Sequence, residues 1–143
     1  MPLNQRQITL AALAAAGENA TFSPVQVQKL FFLIDREASH LVGGPHFRFK
    51  PYDYGPFDSS VYDQLAFLSF QGLVHISGSG RYRVYSLTET GFAEGRNVLS
   101  TLPSGTVDFL SATARWVRGL SFQQLVAAIY RDYPDMKVNS IFR

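Results

Sequence analysis

The stretch from Leu73 to Gly91 constrains the fold of this chain more than any other. Leu73 to Ile76 reads as a strand, Ser77-Gly78-Ser79-Gly80 supplies a flexible turn, and Arg81 to Leu87 reads as the returning strand. On that strand Tyr82, Val84 and Leu87 are expected on one face and Arg81, Arg83 and Tyr85 on the other. Thr88 then caps a helix of roughly 89–101, with Glu89 in its first turn where a carboxylate favours the helix dipole.

The rest of the chain reads as helices around this hairpin. Residues 3–16 show helical spacing at Ile8, Leu10, Ala11, Leu13 and Ala14, with Gly17 at the expected end. Residues 17–22 read as a connection. Ser23-Pro24 is a strong helix start, and Val27, Leu30, Phe31, Ile34, Ala38 and Leu41 keep the apolar rhythm up to Gly43-Gly44-Pro45. Phe47-Arg48-Phe49-Lys50 alternates like a short strand, and Pro51 to Phe57 reads as a rigid aromatic turn. A third helix of about 59–71 starts at Asp58 or Ser59, with Val61, Tyr62, Leu65, Phe67 and Leu68 inward. Pro103-Ser104-Gly105 breaks the chain before a helix of about 106–118. Ser121 and Gln124 form a capping box that opens the last helix, which ends near Tyr133.

Helix, helix, helix, hairpin, helix is the order of a winged helix-turn-helix. The expected class is therefore α+β, mostly α: one winged-helix-like domain over 1–143. Its core would cover about 3–102, with a long insertion between helices 2 and 3 and extra C-terminal helices over about 104–143. A chain of 143 residues can bury a core of its own without staples. There is no cysteine, which removes disulfides and thiolate metal sites and fits a reducing, cytoplasmic compartment. No stretch reaches the roughly 18 apolar residues that a membrane span needs.

Three motifs carry a resemblance. They are Lys29-Leu30-Phe31-Phe32-Leu33, the turn Tyr52-Asp53-Tyr54-Gly55-Pro56-Phe57, and the hairpin exit Tyr85-Ser86-Leu87-Thr88-Glu89-Thr90-Gly91. A closing segment, Leu120 to Val126 with Ile129 to Pro134, joins them. In this order they resemble small prokaryotic winged-helix proteins of the YwgA type and, more loosely, the Panacea (SocA-like) antitoxin domain. The resemblance implies a winged-helix-like fold and little chemistry.

Two functions follow as expectations. The first is a DNA-binding transcriptional regulator, with a homodimer permitted. Arg81 and Arg83 on the wing, His75 on its partner strand, and Ser59, Ser60 and Gln64 on the third helix would contact the duplex. Two features weigh against it. About 16 residues, Val42 to Phe57, separate helices that a compact helix-turn-helix joins by a short turn. The start of the third helix also offers Asp58 and Asp63 and no Lys or Arg. The second function is a protein-interaction module, antitoxin-like or adaptor, on the same scaffold. Only 17% of residues are charged and 14% are aromatic, a balance that suits an apolar surface covered by a partner. Tyr52, Tyr54 and Phe57 would form its ledge, with Arg48 and Lys50 beside it to meet an acid.

No catalytic constellation is expected. His40, His46 and His75 are scattered and lack metal-ligand spacing. Asp35 and Glu37 are two apart on a helix and diverge. No phosphate loop is present, so no metal or cofactor is expected.

Overall fold

Ser23 and Gln26 start the helix around which the molecule is built. The Ser23 hydroxyl accepts from the Gln26 N–H at 3.3 Å, and the Gln26 carboxamide oxygen accepts from the Ser23 N–H at 2.9 Å. The computed structural model describes residues 2–142. In it this helix, α2 (Pro24–Val42), is buried at every residue from Val27 to Ile34. A helix that shows no free face there is a central one, and its neighbours come from both halves of the chain. They are α3 (Ser59–Phe70), α5 (Ser104–Arg118) and α6 (Phe122–Asp132).

The apolar rhythm of α2 fails at its end for a local reason. Ala38 leaves helical geometry at φ −136° and ψ 20°, which rotates the last turn. Leu41, expected inward, is 44% exposed, and Val42 is buried in its place.

The connection over 17–22 contains a strand, β1 (Thr21–Phe22). It pairs antiparallel with β5 (Val84–Leu87), which pairs on its other side with β4 (Val74–Ser77). Phe22 and Ile76 both face Tyr85 across the ladder, and Phe22 and Tyr85 are buried. The returning strand is thus shorter than expected. Gly78 at φ 71° turns the chain, Gly80–Tyr82 forms a 3-10 turn, and only Val84–Leu87 is strand. Tyr85, expected on one face with Arg81 and Arg83, is buried in the core.

The exit of the hairpin is built by its sequence. Thr88 donates from its hydroxyl to the Gly72 carbonyl at 2.7 Å, and the same hydroxyl accepts from the Gly91 N–H at 3.0 Å. This opens α4 (Glu89–Leu99) tight against the hairpin, and a Cβ at Gly91 would collide with the Leu73 carbonyl. One turn later Gly95 meets α1 (Gln5–Ala15), where a Cβ would stand 2.5 Å from the Leu10 carbonyl oxygen and 2.6 Å from the Ala14 Cβ.

A second hairpin stands where an aromatic turn was expected. Its strands are β2 (Lys50–Tyr52) and β3 (Gly55–Phe57), joined at Asp53-Tyr54. The strand expected over 47–50 is absent except for Lys50. Phe47 and Phe49 instead pack on Phe31 and Phe32 of α2, with ring centroids 5.5 and 5.7 Å apart. Asp35 fixes this segment by accepting from the N–H groups of His46 and Phe47, each at 2.9 Å.

The structure is α+β and mostly helical, with two small antiparallel sheets among the described residues. One buried cluster runs from Leu3 to Met136, and α5 adds Leu110, Ala114 and Val117 to it. Phe67, expected inward on α3, is 53% exposed. Among the described residues no helix is long and apolar enough to cross a membrane.

Candidate binding cleft

The short β2–β3 hairpin supplies the first two of four aromatic rings in a row. Tyr52 stacks on Phe57 at 5.1 Å, and Phe57 meets Tyr62 of α3 at 5.8 Å. Tyr62 in turn lies parallel to Tyr85 of the sheet, 6.2 Å away. At the turn, Tyr54 meets Phe122, the first residue of α6, edge-on at 5.0 Å. Tyr52, Tyr54 and Phe122 nonetheless stay open to solvent, at 55%, 41% and 42%.

Tyr52, Tyr54, Phe57, Tyr62 and Phe122, together with Arg81, Tyr82 and Arg83, wall a cleft of about 980 Å³. Residues at the starts of α2 and α6 line it as well. The volume is that of a ligand site, and aromatic walls give large contact area with few rotamers to freeze.

Lys29 forms part of the floor. It is 3% exposed, and its Nζ donates to the Pro56 carbonyl at 3.2 Å. Burial pushes its pKa down to about 7. No ion pair among the described residues includes it. Gly55 packs over the amine: a Cβ at this residue would come within 3.5 Å of Lys29 Cε and 3.3 Å of the Tyr130 ring.

Neighbouring bonds hold the cleft in shape. The Gln28 carboxamide donates to the Asp58 carbonyl and accepts from the Asp58 N–H, both at 2.9 Å, so α2 grips the end of β3. The Tyr62 hydroxyl donates to the Pro24 carbonyl at 3.3 Å, and burial pushes its pKa up to about 12. Burial pushes the Asp58 carboxyl up, but N–H donors from Arg48 and Ser60 outweigh that and hold it below its usual range.

The structure divides the residues singled out from sequence into two groups. Tyr52, Tyr54, Phe57, Arg81 and Arg83 meet at the cleft. Arg81 sits in the 3-10 turn, where its guanidinium donates to the Tyr82 hydroxyl at 2.9 Å. Arg83 donates to the Tyr85 hydroxyl at 3.1 Å, a bond that raises its pKa further. His75, Ser59, Ser60, Gln64, Arg48 and Lys50 are not part of the cleft wall. His75 faces Ser86 on the outer side of the sheet and is exposed. Arg48 and Lys50 are exposed, and the Arg48 N–H donates to Asp58 at 2.7 Å.

Lys29, Tyr62, Tyr82 and Phe122 escaped the sequence reading as site residues. Lys29 carries the one usable signal, a lone cation inside the apolar run Val27 to Ile34, where a long charged side chain must reach out or stay buried. Among the described residues no group of three or more His, Asp or Glu could hold a metal ion. No family model, no curated protein and no solved structure matches the chain.

Proposed function

We propose that this protein is a protein-interaction module on a winged-helix scaffold, which takes an extended segment of a partner into the aromatic cleft. The cleft itself carries this reading. Tyr52, Tyr54, Tyr82 and Phe122 are large, solvent-exposed rings gathered on one side of the molecule. Exposed rings around one concavity are an unusual surface for a soluble chain and suit a partner's apolar side chains.

The winged-helix part of the proposal rests on topology. A strand between the first two helices, added to the edge of a later hairpin in the order β1-β5-β4, supports that reading. A cysteine-free sequence suits a cytoplasmic setting.

Regulation through DNA is the second reading, favoured by Arg81 and Arg83 beside the sheet. It is weaker because of α3, which would occupy the recognition position. Its exposed residues include Ser59, Asp63, Ala66, Phe67 and Phe70, with no cation to meet phosphate.

Peptide selection separates the two. Immobilised protein is offered a degenerate pool of N-acetylated octapeptides and, separately, a random DNA duplex at low salt. Retention of peptides, lost in Tyr52→Ser/Tyr54→Ser, is expected. Duplex retention that falls with salt and vanishes in Arg81→Ala/Arg83→Ala, with no peptide retained, overturns the proposal.

A further inference from the structure

A buried ammonium needs a partner of opposite charge or must give up its proton. Among the described residues Lys29 has no carboxylate paired to it, and it is 3% exposed. Its Nζ has three donors when charged, and the Pro56 carbonyl accepts one of them. Lys29 is nevertheless one of the residues that line an open cleft, so a ligand seated there is the nearest source of the missing counter-charge. The wall above it is cationic as well. Arg81 and Arg83 stand against a single acid, Asp53, and neither arginine is tied to a carboxylate among the described residues. A ligand that fits such a site carries negative charge between apolar groups.

From this geometry we infer that the cleft selects an acidic segment of a partner protein, one of whose carboxylates reaches the floor and pairs with Lys29 while aromatic or aliphatic neighbours rest on Tyr52, Tyr54 and Phe122. The inference rests on the peptide-binding reading above and names the chemistry of its ligand.

It also makes binding a proton-linked event. The free amine holds its proton only up to about pH 7 because burial opposes the charge. A carboxylate brought beside it restores the charged form, so binding above that pH must take up a proton. Among the described residues no histidine and no second lysine lines the cleft. Tyr52 lies on β2, Asp53 and Tyr54 on the β2–β3 turn, Tyr62 on α3, Arg81, Tyr82 and Arg83 at the sheet, and Tyr130 on α6 beside Gly55. Carboxylates, tyrosines and arginines ordinarily change charge outside the range of about pH 6 to 9. Lysine with a depressed pKa is the group left to titrate inside it.

The test uses two octapeptide pools on the full chain. One is built from Asp, Glu, Leu, Phe and Tyr; in the other Asn and Gln replace Asp and Glu. The acidic pool is expected to be retained at least tenfold better than the neutral pool at about pH 6. Its affinity should fall by up to about tenfold per pH unit above 7, as one linked proton requires. Lys29→Met keeps the side chain's length without the charge, and it should lose the pH dependence and most of the acid preference. Arg81→Ala/Arg83→Ala should weaken the acidic pool and leave the pH dependence in place. Equal retention of both pools, or acid binding unchanged in folded Lys29→Met, overturns the assignment of Lys29 while the peptide cleft stands. Retention of neither pool overturns the cleft reading itself. A cleft found closed by a second copy of the chain, as a dimer that excludes both pools, overturns both.

Discussion

Lys29 Nζ stands 3.2 Å from the Pro56 carbonyl oxygen, with no carboxylate paired to it among the described residues. The unfolded chain holds this proton up to 10.5, the folded one only to about 7. Between those values the unfolded state binds more protons, so stability rises with pH across the window. The slope approaches about 1.4 kcal/mol per pH unit for one group. Urea unfolding at several pH values from about 6 to 9 should show this rise. In Lys29→Met the rise should flatten and stability near neutral pH should exceed that of the native sequence by a few kcal/mol, since an apolar isostere removes the cost of the buried charge. A pH-independent native midpoint, or a Met variant less stable than the parent, contradicts this account of Lys29.

Gly95 and Gly105 should respond in opposite ways to alanine. A Cβ on Gly95 meets the Leu10 carbonyl oxygen at 2.5 Å, whereas one on Gly105 meets nothing within 4 Å. Alanine gains about 1 kcal/mol of helix propensity at either position. At Gly95 the overlap with α1 backbone outweighs it, for a net loss of roughly 1–3 kcal/mol. Gly105→Ala, near the start of α5, should be neutral or stabilising. Thermal unfolding of the two variants checks both signs.

Thr88→Ala should cost about 1–2 kcal/mol, because it removes the N-cap of α4 and leaves the Gly72 carbonyl without its donor. Serine at the same position should recover most of the loss. Chemical denaturation of the two variants distinguishes a cap from mere packing of the threonine methyl.

Asp35→Ala should loosen the segment after α2. Its carboxylate accepts two backbone N–H groups, from His46 and Phe47, across 11 and 12 residues of chain. Their amides should exchange at least tenfold faster in the variant, with a global cost of roughly 2–4 kcal/mol. Protection unchanged at both amides would show that the aromatic packing of Phe47 and Phe49 alone holds the segment.

The parts of the fold that announce themselves in sequence are those fixed by local chemistry. Ser23-Pro24, Ser121 with Gln124, and Thr88 with Gly91 mark helix starts because a hydroxyl satisfies a nearby N–H wherever the chain goes next. What stayed hidden depends on distant partners. Thr21–Phe22 is too short to show alternation and becomes a strand only when β5 arrives beside it. Leu41 was read inward because a periodic pattern carries no sign of the kink at Ala38. The aromatic ledge was visible as a run, Tyr52 to Phe57, but Tyr82 and Phe122, which complete the cleft, are brought near by tertiary packing alone. Lys29 is the sharpest case. Its burial follows from α2 being enclosed on all sides, which no helix pattern in one segment reveals.

The most direct test of the cleft is a ¹H–¹⁵N titration of the labelled protein with an acidic peptide chosen from the selected pool, and separately with a random duplex. The cleft account predicts peptide-induced shifts centred on Gln26, Lys29, Tyr54, Arg83 and Phe122, with the duplex leaving the spectrum unchanged at moderate salt. Shifts that follow the duplex instead and centre on Ser59, Ser60, Gln64 and His75, with the cleft silent to peptide, would contradict it.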